Sequence, residues 1–393
     1  MTRPGVGSAN LVAVSFALTA LAYGLARFAY GLLLPQIRAE LELGTVAAGW
    51  IGSAAFAAYC GGVVVAFMTV PKSGVRAVAV AAGLCATAGL GLVAVAGSAT
   101  TLGLAIALAG ISTGLASPPL AAAVGQFIPE AGRPRANGAI NAGTAAGIVL
   151  SGLAALAFAA AWRELYLGFA VIGAAVTLWL WRAIPSGKAA DAAPASPGLR
   201  RSGLVPLFGA AVLMGAASTA IWTFGADILR EELQFSDQRI ALAWLVLGAT
   251  GLVGVATGTG TDRFGIAAIH RLSLVLMGLG LVGLAAGSWA PVLPFVAMGV
   301  FGAGYIISCG ALLLWGITLF PERSDLGLGL PFLMIAVGQT IGAPLFAVLL
   351  QAAGTTAALT CAAVVMTCAA IPVPRASRLP CSTSLSPETI AGR

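Results

Sequence analysis

Arg27 stands inside the first long apolar run of the chain, in the stretch LAYGLARFAYGLLLPQIRAEL from Leu21 to Leu41, with Tyr23, Phe28 and Tyr30 around it. In a chain that is 59% hydrophobic and 8% charged, a guanidinium there is costly. Charges at such depth normally face a protein interior or a watery cavity and mark function. Arginine offers a planar fork that takes carboxylate or phosphate bidentately, so one reading is an anion site. The other reading is an arginine pinned to helix carbonyls or to a neighbouring polar group. Helical spacing places Tyr23, Arg27, Tyr30 and Leu34 on one face.

The one carboxylate near the interior of an apolar run is Asp227, in TFGAD, with Thr219 and Thr223 on its face. Matched through the internal repeat described below, it lies about seven residues, roughly 10 Å, above Arg27, too far for direct pairing. It reads as a proton-coupling site, as a solvated charge at a mouth, or as part of a gate. Asn141 lies in a polar stripe with Asn137, Thr144 and Ser151, fit either to line a cavity or to bind two helices together. Trp222, Tyr305, Ser308, Gln339 and Thr340 are further polar or aromatic candidates inside apolar segments.

Other chemistries find no support. Five of the six cysteines, Cys60, Cys85, Cys309, Cys361 and Cys368, fall in apolar runs and read as packing residues, with Cys381 in the tail. The single histidine, His270, is placed in a loop, and no metal-ligand spacing exists. Gly110-Ile-Ser-Thr-Gly114 matches the nucleophile-elbow string, but that motif needs a strand-to-helix turn and an activating histidine. The chain is not expected to be an enzyme, and no cofactor is implied. Its net charge of +7 is scattered through loops with no aromatic interleaving, so no nucleic-acid partner is expected.

The elements that must carry these residues are membrane helices. A mean hydropathy of +1.00 and 52 glycines describe a chain whose solvent is mostly lipid. Apolar segments near spanning length predict helices at 10–34, 46–69, 75–96, 101–128, 138–161 and 163–184, then at 204–228, 240–261, 268–289, 291–319, 326–350 and 355–373. The fold class is an all-α integral membrane protein of 12 spans. The expected division is a six-helix bundle over 1–185, a flexible Ala/Pro/Ser/Gly linker over 186–203, a second bundle over 204–373 and a tail over 374–393. With the N-terminus inside, 15 of the 20 basic residues fall on the cytoplasmic side, which places both termini there.

The halves read as repeats. QFIPE at 126–130 answers to TLFPE at 318–322, and each precedes a glycine-spaced helix, Gly143/Gly147 and Gly338/Gly342. Pro71-Lys72-Ser73-Gly74 answers to Asp262-Arg263-Phe264-Gly265, and Glu40-Leu41 to Glu232-Leu233. Parallel six-helix repeats about an axis along the membrane normal are a transporter architecture.

Gly258-Thr-Gly-Thr-Asp262-Arg263-Phe264-Gly265 resembles the signature loop Gly-x-x-x-Asp-Arg-x-Gly of the major facilitator superfamily (MFS). Gly265 suits the short turn, Gly258 suits close helix packing, and Asp262 can pair with an arginine or a helix N-terminus to hold one gate state. The N-terminal copy keeps Lys72 and Gly74 but has Pro71 where the aspartate belongs, so the lock is expected in the second copy. Gly110 and Gly114 fit the family's fourth helix, whose usual arginine is missing. Around Arg27, ARFAYGLLLPQIRAEL followed by Ala48-Gly49-Trp50-Ile51-Gly52 is similar to a bacterial branch of the superfamily, the YbfB/YjiJ type. The resemblance implies that helices 1, 4, 7 and 10 of the order above line a central cavity and that the motif loops serve gating.

The expected function is secondary transport by alternating access across a bacterial inner membrane, by a chain acting as a monomer in the lipid bilayer. The deep charge is positive, so a small organic anion is the expected cargo, with protons as a candidate coupling ion. The alternatives are drug or metabolite efflux by proton antiport and, from a different class, a transporter-like membrane sensor.

Overall fold

The computed structural model describes residues 8–158, 161–185, 201–321 and 323–374. The expected linker lies almost wholly outside the described residues, and so does the tail from 375 onward. Among the described residues there is no strand. Ten helical stretches among these residues are long and apolar enough to cross a membrane. Two of them, Thr45–Ala94 and Ser324–Ala369, run to 50 and 46 residues. At 1.5 Å per residue these are about twice the roughly 30 Å hydrocarbon thickness. Each is broken by one glycine outside helical geometry, Gly74 (φ 82°, ψ 164°) and Gly354 (φ 81°, ψ 171°).

Dividing them there gives twelve spans. They are α1 (Ser8–Leu41), α2 (45–73), α3 (75–94), α4 (Ala99–Phe127), α5 (Arg133–Ala157) and α6 (Trp162–Ala183). The second set is α7 (Leu204–Glu231), α8 (Asp237–Phe264), α9 (Ile266–Ala285), α10 (Leu293–Leu319), α11 (324–353) and α12 (355–369).

The two sets repeat one another in backbone detail. Gly74 and Gly265 share φ 82° and nearly the same ψ, and Glu42 and Gln234, in the turns that follow α1 and α7, have φ 50° and 53°. Helix contacts repeat too. A Cβ on Gly143 or Gly147 would collide with the α1 backbone at Phe16 and Ala20, and one on Gly338 or Gly342 with the α7 backbone at Val212 and Ala216. Gly110 meets the Ala55 carbonyl as Gly302 meets that of Leu247. In lipid no hydrophobic force drives helices together, so backbone contact through small residues supplies the packing. Glu40 binds Arg163 of α6, and Glu232 accepts a hydrogen bond from Thr355 of α12, in register with it.

Two expectations are corrected here. His270 does not sit in a loop. It is buried in α9, with Nε2 3.2 Å from the Ala369 carbonyl and its ring 5.9 Å from Trp315. Gly258 is not a packing glycine, because nothing lies within 4 Å of the place its Cβ would take.

Candidate functional site

The backbone of α1 changes form where Arg27 stands. Ala20–Phe28 is a π-helix between two α-helical segments. Insertions of this kind inside α-helices are frequent at functional sites. Because the turn is wider there, the spacing of 3.6 fails, and the single face expected for Tyr23, Arg27, Tyr30 and Leu34 is not formed. Tyr30 turns to α2 and donates to the Ala48 carbonyl at 3.0 Å. Tyr23 stays with Arg27 and shares a 2.7 Å hydrogen bond with Ser117 of α4.

Arg27 is 8% exposed, and its side chain lies among four rings. Its Cζ is 4.6 Å from the Tyr59 centroid, 5.0 Å from Phe56, 5.4 Å from Phe28 and 5.8 Å from Tyr23. Nη2 donates to Oε1 of Gln339 in α11, across the boundary between the two sets of helices. Gln339 is itself fully buried, and its Nε2 reaches Ser218 Oγ of α7 at 3.3 Å. Arg27 Nε is buried without a partner, and no carboxylate forms an ion pair with Arg27 among the described residues. Its partners are thus an amide and aromatic faces rather than helix carbonyls. Cation–π contact contributes about 2 kcal/mol or more per favourable desolvated pair, which offsets part of the burial cost.

A second aromatic layer continues from Phe28. Trp222 lies 4.1 Å from Phe28 and 4.9 Å from Tyr305, centroid to centroid, and its Nε1 is buried without a partner. The structure therefore gathers Arg27, Tyr23 and Gln339 directly, and Trp222 and Tyr305 through Phe28. Asn141 stays apart: it is exposed on α5. At the α5–α8 contact Gly152 meets Leu245 and Gly248 meets Ile148 and Val149, and Ser151 bonds back to the Ile148 carbonyl of its own helix. Phe56, Tyr59, Ser117 and Ser218 are members of the site that sequence reasoning missed. Phe56 and Tyr59, one turn apart on α2, are the signal that was present.

One end of the molecule is closed by contacts between the two sets, at the level where α1 gives way to α2. Arg38 of α1 binds Asp227 of α7, and also donates to Leu43 O at 3.0 Å and Thr45 Oγ1 at 3.1 Å. Asp227 is 3% exposed, which rules out the solvated mouth charge. Beside it, Asp237 takes Gln36 Nε2 at 3.1 Å and Arg230. Deeper, Gly31 abuts the Trp222 carbonyl, Gly52 abuts Thr223, and Ser53 Oγ donates to the Thr340 carbonyl at 2.6 Å. At the opposite end Lys72, Gly258, Asp262, Arg263 and Gly265 are exposed, Gly74 is buried, and Asp262 has no ion-pair partner among the described residues.

Residues 16–324 of this twelve-span chain match the sequence model of the Major Facilitator Superfamily. The chain belongs to that superfamily. It is a multi-pass membrane protein of a transporter superfamily, not of an enzyme family. Among solved structures, the nucleoside transporter NupG is 14% identical with a TM-score of 0.74, over 92% of this chain and 97% of that one. The xylose transporter XylE from E. coli, in a partially occluded inward open conformation, is 12% identical with a TM-score of 0.74, over 92% and 96%. Both likenesses are of fold. In sequence, the "Transcription regulatory protein OpdE" of Pseudomonas aeruginosa is 28% identical over 255 residues, 61% of this chain. The match spans 63% of that relative's length.

Proposed function

We propose that the chain is a secondary transporter of a small organic anion, bound at Arg27 between a bundle over 1–185 and a bundle over 204–373. The observation that carries this is an arginine, 8% exposed, at the boundary of the two bundles, held by a neutral amide and with no carboxylate partner among the described residues. A buried charge without a counterion is kept where function requires it. An incoming anion supplies the missing charge, and its bond reaches α1 and, beside Gln339, α11, so binding is felt by both bundles.

Alternating access then runs between two locks. The Arg38–Asp227 pair with its neighbours holds the outer end shut, in a bacterial inner membrane with both termini cytoplasmic. The Asp262–Arg263 loop, exposed here, belongs to the lock that forms when the cytoplasmic end closes. Asp227 acts as the gate carboxylate, and a proton that reaches it opens the same latch, which gives one route to coupling. Arg27→Ala in proteoliposomes tests the anion reading: uptake or exchange of an organic anion is lost while the variant stays folded. Full transport by that variant removes the assignment.

A second reading follows from the Pseudomonas relative, whose name is that of a regulatory protein. A sensor would bind the same anion without moving it. Vesicles containing only this protein separate the two, because a sensor shows binding and no flux.

A further inference from the structure

We propose that Gln339 is a neutral stand-in for the carboxylate of the substrate, holding Arg27 until a monocarboxylate with an apolar body displaces it. The inference rests on the anion reading above and names the ligand class of that site.

Arginine carries only donors, so the Gln339 atom that faces Nη2 is the carbonyl oxygen, as it is placed here. That oxygen occupies one of the two positions a bidentate carboxylate would take on the fork. The neighbouring Nε is buried and has no partner, so the second position is vacant of any protein acceptor among the described residues. Gln339 is anchored from behind by Ser218 Oγ at 3.3 Å, which sets the amide at the guanidinium in the absence of ligand. A glutamate at 339 would make a permanent ion pair and leave no charge to offer. A glutamine satisfies the arginine weakly enough to yield.

The charge count fixes a monoanion. Among the described residues Arg27 and Asp227 are the buried members of the Arg, Lys, Asp and Glu set, and Asp227 is held by Arg38, so a second negative charge on the ligand would be buried unpaired. The surroundings fix the body. The Tyr59, Phe56, Phe28 and Tyr23 rings wall the guanidinium, so the skeleton behind the carboxylate meets apolar surface. Such a wall penalises a strongly hydrated oxyanion such as inorganic phosphate.

The test is benzoate binding to the purified full chain at pH 7, read by ligand-induced shift of the melting temperature and by titration calorimetry. Benzoate is expected to raise the melting temperature of the wild type, and inorganic phosphate is not. Gln339→Ala and Gln339→Met remove the competing acceptor and are expected to bind benzoate about tenfold tighter, the scale of one hydrogen bond to a charged group. Gln339→Glu is expected to bind at least about a hundredfold more weakly. If Ala fails to fold, the Met variant, close in volume, carries the comparison. Wild-type affinity in Gln339→Glu, or no gain in either acceptor-free variant, overturns the stand-in role. A shift with phosphate and none with benzoate overturns the ligand class while the anion reading stands. Benzoate binding that survives Arg27→Ala removes the anion reading itself.

Discussion

Arg38 and Asp227 join α1 to α7, guanidinium to carboxylate, with the Asp227 side chain 4% exposed and that of Arg38 20% exposed. Neither charge has another ionic partner among the described residues. Removing one partner of such a pair leaves the other buried and uncompensated, which costs about 3–5 kcal/mol, whereas replacing both with apolar groups is often close to neutral.

A double-mutant cycle reads this directly. Arg38→Met and Asp227→Leu are each expected to lower the melting temperature, and the double variant to recover most of the loss. Purely additive losses would show that the pair is not coupled.

The same latch has a conformational readout. Thr223 of α7 packs against Gly52 of α2 and is 1% exposed. In a background freed of native cysteines, Thr223→Cys is expected to react slowly with a soluble maleimide while the latch is shut. Asp227→Asn removes the negative charge that holds Arg38, so labelling should rise several-fold at neutral pH. Acid applied to the unsubstituted latch should act in the same direction, since protonation removes the same charge. Unchanged labelling in the Asn variant argues against a latch.

Glycines of similar sequence context separate by their surroundings. Gly147→Ala places a methyl group against the Ala20 carbonyl and Gly24, and overpacking of this kind costs about 1–3 kcal/mol. Gly258→Ala meets open space on a helix and is expected to stabilise by up to about 1 kcal/mol. Thermal unfolding in detergent compares the two, and equal effects would contradict the packing.

Gly74 and Gly265 make a matched pair of turns. With φ at 82° and an extended ψ, each occupies a region that other residues enter at a cost of about 1–3 kcal/mol. Alanine at either position is expected to destabilise by a similar amount, because the two turns share one geometry. A loss confined to one of them, seen by thermal unfolding, would break the equivalence of the repeats at this end.

Twelve spans and the pairing of the two halves were legible in the chain itself. Lipid demands long apolar runs with internally bonded backbone, so span number follows from composition and length. The repeat shows because loop motifs and glycine pairs keep an offset near 192 residues, from Glu40/Glu232 to Gly74/Gly265. Arg27 announced itself for the same reason, as a charge where the solvent forbids one.

What surrounds Arg27 was decided only in three dimensions. Its amide partner is 312 residues away, and two of its four rings belong to α2. The π-helical segment shifted the face of α1, so regular spacing grouped Tyr30 with Arg27 when the fold turns it toward Ala48. The same limit hid the partner of Asp227. Arg38 reads in sequence as one of a few outer basic residues, and only the approach of α1 to α7 makes it half of a lock. Periodicity records which residues a single helix presents, but the identity of the opposing helix depends on packing between segments hundreds of residues apart.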